Sequence, residues 1–167
     1  MISLYSLLIT LSVSPSFEEE PQKVDIVTEE GEDKPKSKKT KALASESELL
    51  FRTLNTVFVT SRTPNPPSRI AAFAKRILTC AMQWPPTSSL KAIDLVRKML
   101  VKEASLHSML VTEDKAAEGI YKGEVNDPAL CHPEATVFWE LSALEREHFD
   151  LRVIQAAEAL ALTTEDQ

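Results

Sequence analysis

Glycine is scarce in this chain: three residues in 167, at positions 31, 119 and 123. A phosphate-cradling loop needs glycines close together, so nucleotide binding through one is excluded. Cysteine is scarcer still. Cys80 and Cys131 stand 51 positions apart, which is no disulfide framework and suits a reducing compartment. A zinc site needs about four ligands at workable spacing. The histidines are His107, His132 and His148, and no CxxC, HxxxH or HExxH occurs, so no metal or other cofactor is expected. Positive charge is also in deficit. The net charge is −6, so polyanion binding would have to come from a local basic patch. The apolar opening "MISLYSLLITLSVSPS" has no Lys or Arg before it and no small-x-small cleavage pattern after it. It is too short to span a bilayer. A packed helix is expected instead, with Leu4, Leu7, Leu8 and Leu11 on one face.

What remains is helix-forming. Hydrophobic residues make up 43% of the chain and aromatics only 6%, and alanine, leucine, glutamate and lysine are common. That mix favours helices over sheets. Residues 14 to 43 stand apart, because they are charged and nearly free of large apolar side chains. They read as a charged, disordered linker or insert. Acidic residues lead, and a basic cluster of Lys34, Lys36, Lys38, Lys39 and Lys41 follows. Such a cluster is either a solvated loop or a nuclear-targeting or RNA-touching segment.

From residue 44 the chain reads as successive helices separated by proline-bearing breaks. Ser45 with Glu48 three residues on predicts a capped start, and Leu50, Leu54, Val57 and Phe58 form the apolar stripe of a helix to about Thr60. After "RTPNPPSR", Ser68 is the candidate cap of a helix from Arg69 to about Gln83. Ile70, Phe73, Ala74, Ile77, Leu78 and Ala81 give it one apolar side, with Lys75 and Arg76 off the centre of that stripe. "WPPTSS" breaks the chain again. A helix from about Ser88 to Lys102 follows, with Leu90, Ile93, Val96, Met99 and Leu100 inward and Lys91, Arg97, Lys98 and Lys102 outward. "SLHSML" continues the packing, and an irregular segment runs from Glu113 to Pro133. The last two helices are expected at about Glu134 to Glu147 and Leu151 to Leu162, the latter capped by Asp150 and turning Ile154, Ala157 and Leu160 inward. No strand signal carries weight. The expected fold is all-α, built of antiparallel helix pairs in an α-solenoid or an irregular bundle. The apolar helices at both ends are expected to pack on further protein.

The stretch "NDPALCHPEATVFWELSALEREH" invites a search for chemistry, because Cys131 and His132 are adjacent. Adjacent residues rarely give a nucleophile and its base the needed geometry, and nothing marks an oxyanion donor. A structural reading uses every residue. "NDPAL" is a turn, Pro133 starts a helix, and Phe138, Leu141 and Leu144 form a buried stripe. Trp139 covers the edge of the core or a partner. Glu140, Glu145 and Glu147 read as a solvated face, and Cys80 as a small core residue.

"RIAAFAKRILTCAMQWPP", "SSLKAIDLVRKMLVKEASLHSML" and "GIYKGEVNDPALCHPEATVFWELSALEREHFD" together resemble the C-terminal region of the nucleolar complex-associated protein 3 family, which contains the CCAAT-binding factor domain. The resemblance covers roughly residues 45 to 162, and "LYSLLITLSVSPSFEE" is similar to the family segment just upstream. Family members end in "HYHPTV" where this chain has "EHFDLRV". The implied division is a solenoid helix at 1–13, the insert at 14–43, a C-terminal helical domain at 44–162 and a tail at 163–167. The resemblance also implies a C-terminal portion of a longer protein and a HEAT-like α-solenoid without enzymatic activity. By the same resemblance, the expected setting is the nucleolus and nucleus. The expected role is in large (60S) ribosomal subunit biogenesis, pre-ribosome assembly and transport, with a nucleolar complex protein 2-like partner and pre-60S particle proteins. No membrane or small-molecule substrate is implied. The alternative role is a chromatin-bound factor in DNA replication initiation. Candidate contacts to ribosomal RNA or a partner are Arg69, Lys75, Arg76, Arg97, Lys98, Lys102 and Trp139.

Overall fold

A computed structural model describes residues 2–19, 23–25, 40–42, 44–110 and 119–164. Among the described residues the regular structure is helical apart from one short antiparallel pairing, β1 (Lys23–Asp25) with β2 (Thr40–Ala42), in which Val24 is in register with Lys41. No strand was expected there. Lys34, Lys36, Lys38 and Lys39 lie outside the described residues, as does the start of the irregular segment before Gly119.

The first helix, α1 (Ile2–Ser12), buries Tyr5 and Leu8. Leu4 and Leu11 pack partly against the core, but Leu7 is exposed, so the buried face is narrower than the leucine spacing predicts. The chain then docks instead of entering a linker at residue 14. Phe17 is buried and stacks on Trp84 at 5.0 Å, and its carbonyl accepts the Ser47 amide at 3.1 Å.

Ser45 caps α2 (Glu46–Leu54) by accepting the Glu48 amide on its hydroxyl at 3.2 Å. Replacing Ser45 with Ala is therefore expected to lower stability by about 1 kcal/mol, read as a lower denaturant midpoint at unchanged slope. The helix continues as a π-helical turn, Asn55–Thr60. A wider turn displaces carbonyls from their usual partners. Asn65 donates to Val57 O (3.1 Å), and Lys102 donates to Val59 O (3.1 Å) and Ser61 O (2.8 Å).

Both double prolines start helices by one device. Pro66 and Pro85 take the cap position, and Pro67 and Pro86 open α3 (Pro67–Ala81) and α4 (Pro86–Lys102) at the first helical residue, where a missing N–H costs nothing. Ser68 is thus inside the helix and is not its cap. The Ser89 hydroxyl, fully buried, donates to Ala81 O (2.8 Å) and Trp84 O (3.1 Å), tying the end of α3 to the start of α4. Glu18 accepts from the Thr87 and Ser88 hydroxyls at that start, where helix polarity favours an anion.

A 3-10 turn (Ala104–Leu110) follows α4. A second one (Pro133–Ala135) precedes α5 (Trp139–Glu147) and α6 (Leu151–Ala161). The helix expected from Glu134 begins five residues later. Thr136 is extended, and the backbone between is used for tertiary bonds: Phe138 N–H donates to Met109 O at 2.7 Å, and Val137 O accepts from Lys75. Asp150 caps α6 through the Arg152 amide as predicted. In α6, Val153 is fully buried beside Ala157 and Leu160, while Ile154 is only half-buried. Helix α3 lies at the centre, packed on α1, α4 and α5.

Candidate functional site, a saturated polar cluster on the central helix

The run Ile70 to Leu78 of α3 is buried at every position, including Lys75 (0% exposed) and Arg76 (2%). Such a helix is covered all round rather than on one stripe. A buried cation must be paired or hydrogen-bonded, and each of these two organises a set of partners.

Lys75 meets Glu140 at 3.1 Å, both side chains fully buried. Its ammonium also donates to Val137 O at 2.7 Å and lies 4.8 Å from the Tyr121 ring centre. The Thr79 hydroxyl donates to the other Glu140 oxygen at 3.4 Å. Burial lowers the Lys75 pKa and raises that of Glu140, against the mutual attraction of the pair. Desolvation outweighs the Coulomb gain here, so the pair fixes position more than it stabilises.

Arg76 turns to the other side. Its guanidinium lies 3.6 Å from the Tyr5 ring centre and donates to Tyr5 O (3.1 Å), Asn126 Oδ1 (3.3 Å), Gly123 O (2.8 Å) and Val125 O (2.8 Å). Carbonyl dipoles, not a carboxylate, surround this charge. Gly123 has a reason here: a Cβ would stand 3.2 Å from the Tyr121 ring. Tyr5 in turn donates its hydroxyl to Cys131 Sγ at 3.6 Å, and the thiol donates to Pro128 O at 3.4 Å.

Two adjacent cations on α3 thus hold α1, the 121–131 loop and the start of α5 together. The cluster leaves little free valence for chemistry. Cys131 is fully buried, whereas His132 is exposed in the left-handed region (φ 48°), so the adjacent pair diverges. Burial pushes the Cys80 thiol up to about 11 and raises Cys131 as well. Neither thiol is expected to react with Ellman's reagent in the native chain, and both react once it is denatured. A hollow of about 160 Å³ between Ile9, Thr79, Tyr121 and Trp139 is smaller than the roughly 300 Å³ at which small-molecule pockets begin.

The remaining predicted contacts stand elsewhere. Arg97 and Lys98 are exposed on α4 and share Asp94, at 2.5 and 2.6 Å. Lys102 is exposed beside them and holds the end of the π turn. Arg69 is half-buried, and Trp139 is 44% exposed. Lys75 and Arg76 are withdrawn as surface contacts, because both are enclosed. Glu140 likewise is no solvated face but the buried partner of Lys75. For α3 the sequence held a partial signal, in the residues that accompany the two cations and not in the position of the cations themselves. A one-sided helix would carry charges at its outer positions, yet Ala71, Ala72 and Thr79 stand there beside Lys75 and Arg76.

The CBF/Mak21 family profile matches residues 2–157. The chain is similar to nucleolar complex-associated protein 3 of Schizosaccharomyces pombe, 29% identical over 120 residues, which are 72% of this chain and 16% of that protein. It is 35% identical over 99 residues to the nucleolar complex protein 3 homolog of Caenorhabditis briggsae, covering 59% of this chain and 13% of the relative. For the human homolog the values are 26% over 114 residues, 68% and 14%. The chain therefore spans less than a fifth of the length of these relatives. With most of its length inside the family profile, the chain belongs to the CBF/Mak21 family.

Proposed function

We propose that this chain is a non-catalytic helical scaffold of the nucleolus, working in assembly of the large (60S) ribosomal subunit. The observation that carries this reading is its similarity to proteins named nucleolar complex protein 3 in several species. The all-helical fold supports it, since the buried Lys75, Arg76 and Glu140 spend their hydrogen bonds inside the fold. In this reading the helices pair as HEAT-like repeats of an α-solenoid. A nucleolar complex protein 2-like partner and pre-60S proteins dock on its ridges. The outer side of α4, with Lys91, Arg97, Lys98 and Lys102 exposed, touches ribosomal RNA phosphates, and Trp139 meets a partner.

Reversing Arg97 and Lys98 together to Glu tests the RNA contact. The double variant is expected to lower recovery of large-subunit precursor RNA about tenfold while its unfolding midpoint stays close to wild type, because both side chains are on the surface. Unchanged recovery would remove α4 from the interface.

A further inference from the structure

Three ties hold the segment after α1 against the starts of α2 and α4. Phe17 stacks on Trp84, which meets Phe51 edge-on at 5.7 Å, and Phe17 O accepts the Ser47 amide. Glu18 accepts from the Thr87 and Ser88 hydroxyls. Two serines make the third tie. Ser14 and Ser16 donate to the two oxygens of Glu46 at 3.1 and 3.2 Å, and their own hydroxyls stand 3.0 Å apart. Residues 14–19 thus form a strap over the aromatic pair Phe51 and Trp84.

The serine tie is the one that a covalent change can reverse. Ser16 is followed by Phe17, Glu18, Glu19 and Glu20, the acidic run that a serine/threonine kinase with a basic substrate groove binds. Ser45 and Ser142 also have Glu three residues on. However, the Ser45 hydroxyl is spent on capping α2, and Ser142 lies inside α5, where the backbone is not free to extend. Pro15, Glu18 and Glu19 are exposed and Ser16 is half-buried, so a brief lifting of the strap presents the serine. A phosphate on Ser16 adds about −1.5 to −2 charge at neutral pH. In the docked strap that charge stands against Glu46, which makes no ion pair among the described residues. Two amides of the first turn of α2 are already spent, Ser47 on Phe17 O and Glu48 on the Ser45 hydroxyl. Arg52 is paired with Glu48 at 3.0 Å, and Lys91 lies 6.0 Å from the Phe51 ring centre. Repulsion from Glu46 therefore outweighs what the helix start can offer, and the phosphate disfavours docking.

We propose that Ser16 is a phosphorylation site and that its phosphate releases the strap, uncovering Phe51 and Trp84. In the transfer, Ser16 Oγ bonds to the γ-phosphorus of ATP, the bond from that phosphorus to the bridging oxygen breaks, ADP leaves, and the hydroxyl proton passes to the kinase's base. The full chain is incubated with ATP and a recombinant acidic-directed serine/threonine kinase, and the phosphate is located by mass spectrometry. Modification of Ser16 is expected, with hydrogen exchange at the Ser47 amide accelerated about tenfold while the α4 core is unchanged, and with a shift of the Trp84 indole N–H resonance. Phe17→Ala, which loosens the strap, is expected to speed phosphorylation of Ser16 several-fold, since the kinase acts on the lifted form. Glu46→Gln is expected to reduce the acceleration at Ser47 that the phosphate causes, because the opposing charge is gone. Ser16→Ala is expected to keep the Ser47 amide and the Trp84 indole unchanged after kinase treatment. Phosphate confined to other residues, a modified Ser16 with the Ser47 amide and Trp84 indole unmoved, or acceleration undiminished in Glu46→Gln would each overturn the proposal.

Discussion

Replacing Lys75 with Met, with Glu140 left in place, is expected to cost about 3–5 kcal/mol of folding stability, because a buried carboxylate then loses its counter-charge. Val137 O loses its 2.7 Å donor as well. The double replacement Lys75→Met with Glu140→Leu is expected to recover most of that loss. In this pair desolvation already opposes both charges, so removing both ends the conflict. Chemical denaturation of the four members of the cycle gives the coupling directly. The pH dependence of the single variant has a definite sign. Burial raises the Glu140 pKa in the folded state, and loss of Lys75 raises it further. A raised folded value means that the folded state holds a proton that the unfolded chain releases near about 4.3. The stability of Lys75→Met should therefore fall as pH rises above that value, and its deficit against wild type should be smaller at acidic than at alkaline pH. A deficit independent of pH would mean that Glu140 is not left charged and buried.

Arg76→Ala is expected to be comparably severe, at about 4 kcal/mol, since it strips donors from three backbone carbonyls and Asn126 and uncovers the Tyr5 ring. The loss should concentrate in the 121–131 loop. Hydrogen exchange at the Lys122 amide, which donates to Cys131 O at 2.8 Å, should accelerate well beyond the exchange of the α4 core. Arg76→Lys should recover only part of the loss, because an ammonium cannot span the fork of acceptors that the guanidinium serves. Equal destabilisation of every amide would instead make Arg76 an ordinary core residue with no special hold on the loop.

Local signals were legible where the answer depended on local chemistry. Ser45 and Asp150 cap the helices that their spacing predicts, the double prolines mark the breaks, and Phe138, Leu141 and Leu144 form the buried stripe. Boundaries failed where tertiary bonds took over the backbone. The helix expected from Glu134 starts at Trp139 because Val137 O and Phe138 N–H serve Lys75 and Met109. Burial of Lys75, Arg76 and Glu140 was not legible from periodicity, which assigns a charged residue to the outside unless a partner is known. Lys75 and Glu140 stand 65 positions apart, and sequence spacing carries no information over that distance. Phe17 and Trp84 illustrate the same limit. A lone aromatic in a charged stretch reads as linker until the surface it stacks on has been placed.

Affinity purification of the chain from cells, with the bound RNA sequenced and the bound proteins identified, bears most directly on the central functional claim. The expected result is enrichment of large-subunit precursor ribosomal RNA together with nucleolar assembly proteins. Recovery of replication-origin chromatin and helicase-loading proteins, without precursor ribosomal RNA, would contradict it and place the scaffold on chromatin.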